Sequence, residues 1–256
     1  FMIKNNIDES QVKKLNLSLV KLKDIESLYD KPESNNLEIL IDPKQLTISN
    51  TVLNSKKTIP DAFQLKKINI NNALIKIDTI SSENNFVFGI PELIIHSISK
   101  LINEFPFFFG RIINENKFLI SQSSNIGVTI DIGKGLFVPV IHDCQNLSLK
   151  EISTILMGFK MKAIRNNYKS SDFDNPSISI SLNMDNDTVF VKPIIFPGQT
   201  CMISINSVFN ECILQDKKII ENKYINLGLA YDHRVINGYE ANKFLTTIKN
   251  FVEEKF

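Results

Sequence analysis

The chain has 256 residues, 43% of them hydrophobic, with 29 Lys and Arg set against 28 Asp and Glu. That length builds one substantial domain with a little left over. The balanced charge excludes the strongly basic surface that suits nucleic acid, and the apolar content is that of an ordinary globular protein. No uninterrupted apolar run reaches the roughly 18 residues of a membrane span. Residues 1–36 contain no apolar stretch of the signal-peptide kind, and Phe1 before Met2 reads as a cloning remnant, with Met2 as the natural start. Cys144, Cys201 and Cys212 have neither zinc-ligand nor CxxC spacing. They are expected as buried thiols in a reducing, cytoplasmic compartment. His96, His142 and His233 are too few for a His-rich metal site, so no metal is expected.

In chain order, residues 1–36 are polar and end in DKPESNN (30–36), a linker by composition. This sets a boundary between an N-terminal segment, 1–36, and a main domain, 37–256. Residues 62–70 read as a strand. Residues 91–105 form an amphipathic helix with Leu93, Ile94, Ile98, Leu101 and Ile102 inward, and His96 on it reads as structural. The run Phe105-Pro-Phe-Phe-Phe109 is core and channel wall. Gly133 and Gly135 supply a hairpin turn, and His142 reads as surface. Ser148-Leu-Lys-Glu151 is a capping box that opens a helix with Leu149, Ile152, Ile155, Leu156 and Phe159 on one face. Residues 225–231 alternate as a strand and lead into DHRVING (232–238). A helical pattern follows, with Phe244, Leu245, Ile248, Phe251 and Val252 on one face. A histidine at such a strand–turn–helix junction is held by rigid elements on both sides.

The DHRVING stretch resembles the HRxxDG signature of the dihydrolipoamide acyltransferases at the core of 2-oxo acid dehydrogenase complexes. Chloramphenicol acetyltransferase and the condensation domains of peptide synthetases share its HxxxDG skeleton. By this resemblance His233 is a general base, Arg234 matches the Arg and Gly238 the Gly. The family's Asp falls on Asn237, a departure. Residues 46–60 (LTISNTVLNSKKTIP) resemble the family's first helix, which Pro60 would stop. Residues 71–85 look shorter and more irregular than the family's helix there. Residues 125–143 (NIGVTIDIGKGLFVPVIHD) are similar to a strand–turn–strand segment with a GL(I/F)VPVI run. Residues 179–182 (SISL) and 195–203 (IFPGQTCMI) align without a gap to the T-I-S-(N/S)-L-G and N-P-P-Q-x-x-I-L runs. That register, with Pro197 and Gln199 in place, puts Ser181 on the family's catalytic serine, whose hydroxyl binds the oxyanion of the tetrahedral intermediate. The glycines after that serine are replaced by residues 183–187 (NMDND), so a different loop is expected. Residues 7–12 and 20–26 resemble the second half of the small peripheral-subunit-binding module, without its Gly-rich loop.

In the family, the motif Asp forms a salt bridge with an Arg that here falls on Gln45. Both charges are therefore replaced together. Replacing both partners of a buried ion pair can be neutral, whereas losing one is costly. The expectation is that Gln45 and Asn237 pair through their amides.

The resemblance covers residues 37–256. It implies an α/β, chloramphenicol acetyltransferase-like two-layer sandwich, a mixed sheet covered by helices, with one half-unit per chain. It implies an acyltransferase that moves an acyl group from a coenzyme A or carrier-protein phosphopantetheine thioester to a thiol or hydroxyl acceptor, small or carrier-bound. No cofactor is expected to stay bound. Residues 1–36 are too short for a lipoyl domain, which points to a free-standing enzyme. One unit per chain implies a homotrimer, or a multiple of three, whose subunits bring His233 and Ser181 together at their interfaces. No nucleic-acid or membrane partner is expected. The alternative is a catalytically inactive scaffold subunit related to the cores of dehydrogenase complexes.

Overall fold

A computed structural model of the chain describes residues 8–17, 19–26, 39–133, 135–185 and 187–256. The chain divides into two compact units, Phe1–Leu46 and Thr47–Phe256. The first contains two five-residue helices, α1 (Glu9–Lys13) and α2 (Leu22–Glu26). The linker read at 30–36 lies outside the described residues, as does Ile7 of the resemblance to a subunit-binding module. Helix α3 (Pro43–Thr58) ends two residues before Pro60, as a proline requires.

The second unit continues through β1 (Asp61–Asn69), α4 (Asn71–Asn84) and α5 (Ile90–Ser99). A small hairpin, β2 (Arg111–Asn114) and β3 (Lys117–Leu119), comes next. Then come β4 (Ile126–Val128), β5 (Ile130–Asp131), β6 (Leu136–Phe137), β7 (Val140–Ile141) and α6 (Leu149–Arg165). The chain closes with β8 (Ile178–Asn183), β9 (Cys201–Asn206), β10 (Phe209–Gln215), β11 (Lys218–Asp232) and α7 (Gly238–Asn250).

One mixed sheet organises these elements, in the order β1-β11-β9-β8-β4-β7, with β10 also paired to β11. Strand β8 runs parallel to both β9 and β4, and the other pairs are antiparallel. Successive strand residues point to opposite faces. One face carries Ile126, Val128, Ile178, Ile180, Ile203, Ile205, Leu227 and Leu229, all buried in one cluster with side chains of α4, α5, α6 and α7. Phe108 and Phe244 stack there with ring centroids 4.2 Å apart. The other face carries Gly127, Ser179, Ser181, Ser204, Asn206 and Gly228. There a small second cluster forms from Ile59, Ile195, Met202 and Ala230.

Three local expectations need correction. Residues 71–84 form a regular helix. The Asn69 side chain accepts the Asn71 N–H, Ala73 and Ile77 bury one side, and Asn85 ends the helix at φ 52°. Its polar residues lie outward, which made the stretch look irregular in sequence. The helix expected over 91–105 stops at Ser99, and tight turns bonded Leu101 N–H to Ile98 O and Glu104 N–H to Leu101 O carry the chain on. Cys144 and Cys201 are buried, but Cys212 is exposed. It shares the outward side of β10 with Asn210 and Leu214. Other readings hold: Ser148 and Glu151 bond reciprocally at the start of α6, and Gly133 takes φ 74° in its turn.

Candidate active site

The motif residues sit where β11 gives way to α7. Tyr231, the penultimate strand residue, still pairs with Ala62 of β1 and Cys201 of β9. The Asp232 N–H donates to Thr200 O at 2.7 Å, the last rung on that side. The His233 N–H donates to Pro60 O at 3.1 Å, which ties the turn to the junction of α3 and β1. The N–H groups of Val235 and Ile236 return to Asp232 O, and Ile236 is buried as an anchor. Asn237 is the N-cap of α7, and its N–H donates to the Glu240 carboxylate at 2.9 Å. Gly238 O accepts the Gln64 side-chain amide at 2.9 Å. Backbone bonds thus fix the turn from both sides. The His233 side chain is exposed, with its ring 5.6 Å from that of Tyr231.

Arg234 turns back onto Asp232. Its Nε and Nη2 donate to the Asp232 carboxylate at 2.9 and 2.5 Å, and its N–H donates to Oδ1 at 3.1 Å. The carboxylate bonds hold the guanidinium charged and raise its pKa further above the ordinary arginine range.

Ser181 lies on β8, directly opposite Ser204 of β9, which in turn lies opposite Gly228 of β11. Gly228 precedes His233 by five residues, which is about 17 Å of strand. The structure therefore does not bring Ser181 and His233 together within one chain. Ser181 is half-buried, and its hydroxyl lies 3.2 Å from the Asn183 amide nitrogen. Gln45 is exposed on the first turn of α3, in the first of the two units. His142 is exposed and His96 half-buried, both as expected. Burial, and then the Lys100 cation, push His96 below the usual imidazole range. Burial also pushes the Cys144 thiol up to about 12, so it is no nucleophile.

Two sets of contacts near the turn were not legible in the sequence. The buried Gln199 donates its side-chain amide to Ser179 Oγ at 2.9 Å, two residues from Ser181. It lines a groove of about 1110 Å³ together with Asn50, Phe137, Phe173 and Ser179. A smaller pocket of about 250 Å³ joins Gln199 to Asn54, Asp232 and Arg234. The second set is made by Asp232 itself. The opposite charges directly flanking the histidine were the signal available for it.

Residues 33–255 match the family of 2-oxoacid dehydrogenases acyltransferase (catalytic domain). The chain belongs to this family. One of its relatives is the dihydrolipoyllysine-residue acetyltransferase component of the pyruvate dehydrogenase complex from Buchnera aphidicola subsp. Schizaphis graminum. It is 26% identical over 224 residues, covering 85% of this chain and 56% of the relative. The chain thus spans little more than half of that relative's length. Among solved structures, a probable dihydrolipoamide acetyltransferase from Listeria monocytogenes superimposes with a TM-score of 0.78 at 23% identity, over 85% of this chain and 94% of that one. The Azotobacter vinelandii dihydrolipoamide acetyltransferase also superimposes with a TM-score of 0.78, at 19% identity, over 85% and 93%. That structure was solved to investigate the role of a serine, a histidine 52 positions later and an asparagine four positions beyond that in its catalytic mechanism. The expected fold is therefore the observed one: an α/β, chloramphenicol acetyltransferase-like mixed sheet covered by helices. Among the described residues of this family member, no helix is long and apolar enough to cross a membrane.

Proposed function

We propose that this acyltransferase domain moves acyl groups between a pantetheine thioester, such as that of coenzyme A, and a thiol or hydroxyl acceptor, with His233 as base and Ser181 as oxyanion donor. One observation carries the reading. Ser181, His233 and Asn237 stand at the same spacing, 52 and then four positions, as the serine, histidine and asparagine named for the Azotobacter vinelandii enzyme. Asn237 thus departs from the family's Asp but agrees with that relative. This favours a working site over a decayed one.

The chemistry follows from the side chains. His233 Nε2 takes the proton of the acceptor, the work of a histidine positioned as a general base. The acceptor sulfur or oxygen attacks the thioester carbonyl, and Ser181 donates a hydrogen bond to the oxyanion. The intermediate then collapses. The new acyl bond remains, the pantetheine thiolate leaves, and it recovers the proton from the imidazolium. The strand register places Ser181 about 17 Å along the sheet from His233 in its own chain. A serine from a neighbouring subunit is the simple way to complete the site, which supports a homotrimer or a multiple of three.

The test is transfer from acetyl-coenzyme A to dihydrolipoamide and to hydroxyl acceptors. His233→Ala should remove nearly all turnover. Ser181→Ala should lower kcat by about 100- to 1000-fold, the usual cost of one oxyanion donor. Mixing the two variants should restore part of the activity, because mixed assemblies contain an interface with both native residues. Verified subunit exchange without recovery would refute the shared site. A His233→Ala variant with wild-type turnover would refute the base. If the wild-type protein transferred to no acceptor, a scaffold subunit would be the better description.

A further inference from the structure

Two opposite charges bracket His233, and the acyl-transfer reading assigns neither of them a task. Asp232 is the last residue of β11, and its side chain is 1% exposed, whereas that of Arg234 is 46% exposed. The carboxylate accepts three donors from Arg234: the backbone N–H, Nε and Nη2. These bonds close a ring across the turn with His233 at its centre. An ion pair with one partner buried and the other open to water is a weak stabilising device, because the cost of desolvating the carboxylate and the screening of the guanidinium offset most of the Coulombic gain. Its place beside an exposed histidine therefore calls for a local role.

We infer that Asp232 and Arg234 are a positioning and charge-balancing pair for His233. The inference rests on the reading of His233 as the base. The ring fixes the backbone on the far side of His233, as the bond from His233 N–H to Pro60 O fixes the near side. The imidazole is then presented to solvent from a turn that has little freedom. The same pair also cancels its own field. A lone carboxylate beside an imidazole favours the protonated ring, which is no base, and a lone guanidinium favours the neutral ring. Two carboxylates on the neighbouring elements, Asp61 and Glu240, are paired or bound. Asp61 at the start of β1 faces Lys56 of α3 and Lys192 of the 187–200 segment. Glu240 of α7 holds the Asn237 N–H. Tyr231 offers a ring 5.6 Å away.

The test is histidine ring titration by NMR in the full chain. Only three histidines are present, and the His233 signal is the one lost in His233→Ala. Asp232→Asn leaves the guanidinium unbalanced and should move the His233 titration down by about half a unit, a modest shift because the ring faces water. Arg234→Gln should move it up. The double variant Asp232→Asn/Arg234→Gln should return it to the wild-type position. Arg234→Lys keeps the charge but loses the fork, so the titration should stay while kcat falls about tenfold through misplacement of the ring. A merely structural pair would lower stability in every variant and shift no titration. An unmoved titration in a natively folded Asp232→Asn, or shifts of one sign in both single variants, would overturn the inference. If Asp232→Asn does not fold, Arg234→Gln decides alone: an upward shift supports the pair and an unmoved signal removes it. The titration needs no turnover, so a failed acyl-transfer assay and a failed charge-balance test are separate results.

Discussion

The two faces of the central sheet are made from the same strands and obey different rules. Strand β9 shows it residue by residue: Cys201, Ile203 and Ile205 enter the core under the helices, while Met202, Ser204 and Asn206 face the other way. Strand β8 repeats the pattern, with Ile178 and Ile180 against Ser179 and Ser181. The covered face carries the burial that holds the domain together. The second face is built of small polar residues that let other surfaces approach the backbone. A Cβ on Gly228 would lie 2.4 Å from Ser204 Oγ and 2.9 Å from the Phe63 ring. Candidate chemistry sits on this second face and at its end, whereas stability is concentrated on the first.

Substitutions can break or sharpen that contrast. The largest expected effect on stability is on the covered face. Ile203→Ala should cost about 2–5 kcal/mol, measured by urea unfolding, because the fully buried side chain leaves a cavity. A cost below about 1 kcal/mol would mean that this face is not the stabilising one. Gly228→Ala, on the opposite face, should cost less, about 1–3 kcal/mol, since Ser204 and Phe63 must shift to admit the methyl. It should also disturb the position of Ser181, which is linked to Gly228 through Ser204 in the register. A larger fall in kcat than in stability would show that disturbance, and unchanged kinetics would refute it.

The smallest expected effect concerns acid sensitivity on the covered side. His96 is pushed below the usual imidazole range by burial, and then by Lys100. The unfolded chain therefore takes up a proton near pH 6.5 that the folded chain still refuses. Stability from this site is complete above that pH and is lost as the pH falls through it. The carboxylates held low by lysines, such as Asp172 beside Lys162, act only in more acid solution, below about pH 4. Comparing urea midpoints at pH 7.5 and 5.5, His96→Gln should lose less stability than the wild-type protein. An equal loss would show that His96 is as free to protonate in the folded chain as in the unfolded one.

Much of this was legible in the residues. The alternation of 225–231 and the apolar stripe from Phe244 to Val252 predict the strand and helix that hold His233, because side-chain periodicity reports local geometry directly. The capping box at Ser148 was readable for the same reason. The helix over 71–84 was not, because only Ala73 and Ile77 are fully buried, Leu74 and Ile80 are partly covered, and its polar residues resemble a loop. The exposure of Cys212 was missed because composition does not say which side of an edge hairpin faces solvent.

The sequence by itself determined the family, the alternating strands and the strand–turn–helix around His233, since these depend on short spacings along the chain. Only the tertiary structure decided how far Ser181 lies from His233, because that distance follows from the pairing of β8 with β9 and of β9 with β11. Strand register is a relation between segments far apart in sequence, and no local propensity encodes it. It likewise decided that the Asp232 carboxylate is closed off from water and Gln199 is bonded to Ser179. Burial depends on what the rest of the chain lays over a residue, and a charge acquires its particular partner only when folding has removed water as the alternative.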